Sequence, residues 1–342
     1  MKIKNRNIGK DEHPLIIAEI GINHGGCLNT AKEMVDSAKR AGVEIIKHQT
    51  HIVEDEMSPI AKEVIPGNSN KSIYEIMEQC SLNYEEELEL KNYVEKNNMI
   101  FISTPFSRAA VDRLVDFNVP AFKIGSGECN NYPLIEYICK FNKPIILSTG
   151  MNNMESINKA VKIIKDHKLD FALLHTTNLY PTPFHLVRLG GMQELMNTFK
   201  DIPIGLSDHT LNNLSSYAAI SLGASIIERH YTDHMDRQGP DIVCSMDEKN
   251  CKDLIANSKI IKSMLGGSKE PAKEEKVTID FAFATVVSIK DIKVGDTLSN
   301  DNIWVKRPGT GKIKAEHFNK VLGKISNKNI NKGEHLNWSD FE

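Results

Sequence analysis

Residues 202–232, IPIGLSDHTLNNLSSYAAISLGASIIERHYT, carry the reading that decides the fold. Two short Ile-rich runs flank a helix-sized segment from Leu211 to Gly223, and each run closes on a polar break. Apolar runs of this length read as buried parallel strands, and strand–helix–strand reads as a crossover unit. Each run ends on a histidine, His209 and His230, 21 positions apart. Neighbouring strands would deliver both imidazoles to the same end of one sheet. Neutral imidazole is the commonest divalent-metal ligand near neutral pH. The plainer reading is two buried, hydrogen-bonded histidines.

Outward from this unit the pattern recurs. LIIAEIGIN (15–23), EIIKHQT (44–50), MIFISTPF (99–106), AFKIGSGE (121–128), PIILSTG (144–150) and FALLHTTN (171–178) are further strand-like runs, making eight in all. Helical patterns such as TAKEMVDSAKRAG, EELELKNYVEKN and NKAVKIIKDH lie between them. Eight strand–helix units predict a (β/α)8 TIM barrel. An open doubly wound sheet would carry a Gly-rich dinucleotide turn after its first strand. Here that turn is GINHGG, without the GxGxxG spacing. Residues 51–83 separate the second strand from its helix. Connections this long are usually functional, and one that follows a strand lies on the active-site face.

After Gly267 the chain turns polar, charged and Pro-containing, then resumes in short alternating runs with Gly and Asn turns. The expected division is a barrel over 1–265, a linker over 266–280 and a small β-rich domain over 281–342. A formal net charge of -3 gives no basic footprint for nucleic acid. No apolar run approaches the roughly 18 residues of a membrane span. MKIKNRNIGKDEHPLII has no apolar core of a signal peptide, so a cytoplasmic protein is expected. The six cysteines form no CxxC pair and are expected to be free thiols, Cys129 a bystander among them.

Polar residues crowd the ends of the predicted strands, where barrel enzymes place their chemistry. Glu19, Asn23 and His24 follow the first strand. Lys47 and Gln49 end the second, and Thr104 and Arg108 the third. Lys123, Ser126 and Glu128 belong to the fourth, Ser148 and Thr149 to the fifth, Asn178 and Tyr180 to the sixth. Ser207 with His209, and Glu228 with His230, end the last two. Strand alternation puts Lys47 and Gln49 on one face, and likewise Ser207 with His209 and Glu228 with His230. Two lysines among hydroxyls suit a phosphorylated or carboxylated substrate; the alternative is a lysine paired with a barrel glutamate. Glu19, Glu128 and Asp241 are candidates for proton transfer. His48, His51, His175 and His185 read as structural or loop histidines. Asp208 should face away from His209 and orient a neighbour.

Taken in order, EIGINH, KHQTHIVEDEM, STPFSR, FKIGSGECNNYPLI, LSTGM, TTNLYPTP, GLSDHT, ERHYTD, GPDIVCSM and DFAFA…NIWVKRPG closely resemble the bacterial N-acetylneuraminate (sialic acid) synthase family, from about residue 12 to the end. The tail resembles the type III antifreeze-like (SAF, β-clip) domain of that family. The resemblance implies that phosphoenolpyruvate condenses with open-chain N-acetylmannosamine and water, giving N-acetylneuraminate and phosphate by C–O cleavage. It implies a divalent metal, typically Mn2+ (Mg2+ or Co2+ in its place), on His209 and His230, which would polarise the acceptor aldehyde. Lys47, Thr104, Lys123, Ser126, Ser148, Asn178 and Ser207 match the phosphoenolpyruvate site. Glu19, Gln49, Glu128, Tyr180 and Asp241 match metal-side or sugar-side groups, with Glu19, Glu128 and Tyr180 on the catalytic side. Phe281 and Arg307 match tail residues that reach the partner's barrel in a domain-swapped homodimer. Legionaminic or pseudaminic acid synthesis is the nearest alternative. A class I aldolase with a Schiff base on Lys47 or Lys123 is a more distant one.

Overall fold

A computed structural model describes residues 1–65 and 70–342, so residues 66–69 of the long insert lie outside the described residues. Eight parallel strands close into a barrel. They are β1 (Leu15–Gly21), β2 (Ile45–Thr50), β3 (Ile100–Pro105) and β4 (Phe122–Ile124), then β5 (Ile145–Ser148), β6 (Phe171–Thr176), β7 (Ile204–Asp208) and β8 (Ile226–His230). β8 pairs with both β7 and β1, which completes the ring. Eight helices follow the strands: α1 (Leu28–Ala41), α2 (Tyr84–Lys96), α3 (Arg108–Asp116), α4 (Tyr132–Cys139), α5 (Met154–Asp166), α6 (Leu189–Thr198), α7 (Leu214–Ser221) and α8 (Glu248–Met264).

Local chemistry sets where these helices begin. Asn83, Ser107, Asn153 and Asp247 each accept the backbone N–H three residues on, at the starts of α2, α3, α5 and α8. Such caps satisfy amides that a helix start leaves orphaned. β4 is shorter than the eight-residue run predicts, because Ser126–Glu128 turns into a 3-10 helix. The insert after β2 is not bare loop: Val53–Glu56 and Ile73–Cys80 are helical, the second opened by a Ser72–Glu75 capping box.

Strand alternation sorts the core into two populations. Outward positions such as Ile46, Phe101, Phe122, Leu147 and Leu206 join the helices in the main apolar cluster. Inward positions begin aliphatic: Ile17, Ile45, Ile102, Ala121, Ile146, Leu174 and Ile226 pack together inside the barrel, with Ile3 and Ile8 from the N-terminal hairpin. Two residues further along each strand the inward side chains become polar. Gly205 is the inward residue of β7 at this aliphatic level, where a Cβ would lie 2.2 Å from the Ile226 carbonyl oxygen.

The chain divides into two compact units, Met1–Leu265 and Gly266–Glu342. In the second, β9 (Thr285–Ser288) and β10 (Ile303–Lys306) pair antiparallel over a core of Val286, Ile292, Leu298, Ile303 and Leu336. The predicted linker is partly helical: Lys276–Ala282 forms a helix in which Lys276 pairs with Asp280 one turn on. All six cysteines are free. No described helix is long and apolar enough to cross a membrane.

Candidate active site

The polar inward level of the strands forms a cleft of about 140 Å3. Register explains its composition. His230 pairs with Glu19 where β8 meets β1, Glu19 with Lys47 on β2, and Gln49 with Thr104 on β3. Across the ring, Thr176 pairs with Ser207 and Ser207 with Glu228. Lys47, Gln49, Thr104, Lys123, Ser126 and Ser148 therefore line one side, and Asn178, Tyr180, Ser207, His209, Glu228 and His230 the other. A roomier hollow of about 460 Å3 opens around Met1, Ile8 and Ser225, but its charged groups, such as Lys10 and Lys200, are exposed surface residues.

Each lysine has a barrel glutamate as partner. The Lys47 ammonium pairs with Glu19, and Lys123 lies 3.5 Å from Glu228 while donating to Ser148 at 2.7 Å. Burial, with Lys123 nearby, pulls Lys47 down to about 7, against the opposing charge of Glu228. Burial also lowers Lys123. Burial alone would raise Glu228, but the charges of Lys123 and Lys47 hold it below the usual carboxylate range. Asn178 Oδ1, Glu228 Oε2 and His230 Nδ1 are buried without hydrogen-bond partners, and all three residues face the cleft. Buried polar atoms are rarely left so. Their convergence is the mark of a surface shaped for a polar ligand.

The imidazoles fit a metal. His209 and His230 have ring centroids 5.3 Å apart, and Tyr180 stacks beside His209 at 4.2 Å. Burial, then their mutual proximity, drops His209 to about 4. Burial and the charge of Lys47 drop His230 to about 3. Both rings are thus neutral at physiological pH. His209 donates Nδ1–H to the Thr177 carbonyl at 3.0 Å, which leaves the Nε2 lone pair for a ligand bond. Among the described residues no three His, Cys, Asp or Glu side chains form a metal cluster, so two imidazoles would leave most coordination positions to water and substrate.

Other predicted positions fall outside the cleft lining. Asp241 sits at its edge, Oδ2 3.5 Å from His230 Nδ1, with its carboxyl raised to about 6 by burial. Glu128 is half-buried in the turn after β4 and accepts from Asn131. Arg108 opens α3 and covers the Tyr137 ring instead. Asp208 turns outward, binding Arg229 at 3.1 Å and Ser216 at 2.7 Å. Phe281 and Arg307 belong to the second unit, where the guanidinium lies 5.8 Å from the Phe281 ring. Sequence reasoning noted Glu228 on the inward face of β8 but gave it no role; its same-face spacing with His230 was the available signal.

Fold and cleft together define a TIM barrel with an anion- and metal-suited site at the carboxyl ends of its strands. More particularly, the chain belongs to the NeuB family, whose model matches residues 34–270, and a SAF domain matches residues 283–342. It is 39% identical to an uncharacterized protein of Methanocaldococcus jannaschii, over 100% of this chain and 98% of that one. It is 37% identical to the N,N'-diacetyllegionaminic acid synthase of Campylobacter jejuni, over 94% of this chain and 98% of the relative. Among solved structures, the N-acetylneuraminic acid (sialic acid) synthetase of Leptospira borgpetersenii superposes with a TM-score of 0.75 at 32% identity, covering 82% of this chain and 94% of that one.

Proposed function

We propose that this chain condenses phosphoenolpyruvate and water with the open-chain aldehyde of an N-acetylated amino sugar, N-acetylmannosamine in the first instance, releasing phosphate and a nine-carbon keto acid whose C2 oxygen comes from the water. One observation carries the reading: two buried lysines and two neutral imidazoles converge on a single cleft at the carboxyl ends of the strands. Lys47 and Lys123 hold the phosphate and carboxylate charges, with Thr104, Ser126, Ser148 and Ser207 as hydroxyl donors around them. Phosphate leaves with the C2 oxygen, so both ammoniums meet growing charge at the leaving group. Asp241, raised to about 6, is able to hold or release a proton at Oδ2 beside the acceptor. Tyr180 packs against His209 and fixes that wall. His209 and His230 would hold a divalent ion, which would supply Lewis-acid polarisation of the acceptor aldehyde.

A diacetamido sugar is the second reading for the acceptor, favoured by the 37% identity to the legionaminic acid synthase. Phosphate release measured against a panel of mannosamine derivatives separates the two. Phosphoenolpyruvate labelled with 18O at the C2–O–P bridge tests the bond broken: the label should leave in phosphate. Label retained in the sugar acid would overturn C–O cleavage.

A further inference from the structure

One wall of the cleft is held by a chain of side chains whose hydrogen positions are dictated by their partners. Glu19 pairs with the Lys47 ammonium, so it is a carboxylate and only accepts. Gln49 therefore turns its amide nitrogen to Glu19, Nε2 to Oε1 at 3.0 Å. Its carbonyl oxygen then points the other way, to His51 Nε2 at 3.1 Å. A carbonyl only accepts, so His51 Nε2 bears a proton. The opposite ring nitrogen, Nδ1, lies 2.8 Å from Glu56 Oε2, a second acceptor. Flipping the Gln49 amide would set its carbonyl against the Glu19 carboxylate. His51 is buried and stacks on Phe106, ring centroids 4.4 Å apart at 9°, and Phe106 itself lines the cleft. Among the described residues, the titratable and charged groups near this ring are Glu56, His24 and, through Gln49, the Glu19–Lys47 pair; burial, and then the Glu56 charge, raises Glu128 nearby.

We propose that His51, seated between Glu56 and Gln49, is a positioning residue that locks the Gln49 amide so that the cleft offers an N–H donor, not a carbonyl, to the acceptor sugar. This rests on the reading that Gln49 faces that sugar. The lock selects acceptors with an oxygen at that place and rejects those with a donor there.

The test has two readouts on the full-length protein. Selective 15N labelling of histidine should show one ring, lost in His51→Ala, that carries its proton on Nε2, facing the Gln49 carbonyl. Calorimetry with phosphoenolpyruvate present should show His51→Ala and Glu56→Gln weakening N-acetylmannosamine on the order of tenfold, the scale of one hydrogen bond to a charged group. Phosphoenolpyruvate affinity should stay within about twofold, and His51→Gln, which keeps a donor, should recover part of the loss. A wild-type His51 ring without a proton on Nε2 overturns the proposal. So does equal weakening of both substrates, or His51→Gln behaving like His51→Ala. If the wild type binds both substrates yet releases no phosphate, the proposed reaction fails while these readouts still decide the role of His51.

Discussion

Glu228 on β8 and Lys123 on β4 reach each other across the barrel interior, Oε1 3.5 Å from Nζ, although their strands lie on opposite sides of the ring. With Lys47 paired to Glu19, the cleft holds two ammoniums balanced by two carboxylates. An incoming phosphoenolpyruvate would leave this interior with net negative charge, which is costly out of water. A divalent cation on the two imidazoles would offset it. Anion and cation should therefore bind cooperatively, and reciprocally, as linkage requires. We expect Mn2+ to tighten phosphoenolpyruvate binding several-fold and the reverse to hold equally, measured by calorimetry. His209→Ala or His230→Ala should lose both Mn2+ binding and this coupling, and chelation should abolish activity until Mn2+ is restored. Identical phosphoenolpyruvate affinity with and without Mn2+ would contradict the charge argument.

The pH dependence of anion binding should run through Lys47. Its ammonium is destabilised to about 7 in the free protein, and a phosphate or carboxylate favours the protonated form. Binding should therefore weaken as pH rises from 7 to 9, with proton uptake on association. Calorimetry in buffers of different ionisation enthalpy measures that uptake. Lys47→Arg, charged throughout, should flatten the limb. An amine with this pKa is also fit for imine formation. The synthase reading needs no imine, so borohydride with pyruvate should leave Lys47 and Lys123 unmodified; a trapped adduct would turn the reading to an aldolase.

Gly150 is a steric gauge of the anion side. A Cβ there would lie 1.9 Å from Asn178 Oδ1 and 2.8 Å from Ser126 Oγ, which the Gly150 amide also engages at 3.0 Å. Gly150→Ala must displace both groups. We expect kcat/KM for phosphoenolpyruvate to fall at least about tenfold, with a stability loss of about 1–3 kcal/mol typical of overpacking. Unchanged kinetics would separate Asn178 and Ser126 from the substrate.

Outside the barrel wall, Asp208 anchors the loop that carries His209. It binds Arg229, 1% exposed, which also donates to the Thr210 and Asn212 carbonyls. Asp208→Ala strands a buried guanidinium, so a loss of about 3–5 kcal/mol is expected in denaturant unfolding. A loss below about 1 kcal/mol would mean that water or a neighbour replaces the carboxylate.

The barrel was legible because each strand carries its own ruler: Ile45, Lys47 and Gln49, or Ile226, Glu228 and His230, step from aliphatic to polar along one face. The partners of the outward polar residues were not. His48, read as a structural histidine, links His24 at 3.2 Å to Glu87 at 3.1 Å, and Arg113 closes the network. Glu87 lies within EEELEL, which reads as a solvated face; its 1% exposure depends on tertiary contacts. Polarity shows that a residue wants a partner, and only the fold shows whether that partner is protein or substrate.

The remaining prediction concerns the tail. Arg307 is exposed and makes no ion pair among the described residues, which removes the simplest structural reason for it. Its planar fork of donors suits an acetamido carbonyl or sugar hydroxyls. We propose that it serves the barrel of a second copy in a homodimer. Arg307→Ala should then weaken acceptor binding while sparing phosphoenolpyruvate. Mixing Arg307→Ala with His209→Ala, each impaired alone, should partly restore activity, because in a mixed dimer one barrel retains its histidines and receives the intact tail. Subunit exchange must be confirmed by co-purification of differently tagged chains. Mixed dimers that form and stay inactive would mean that each chain completes its own site, and Arg307 would lose its proposed role.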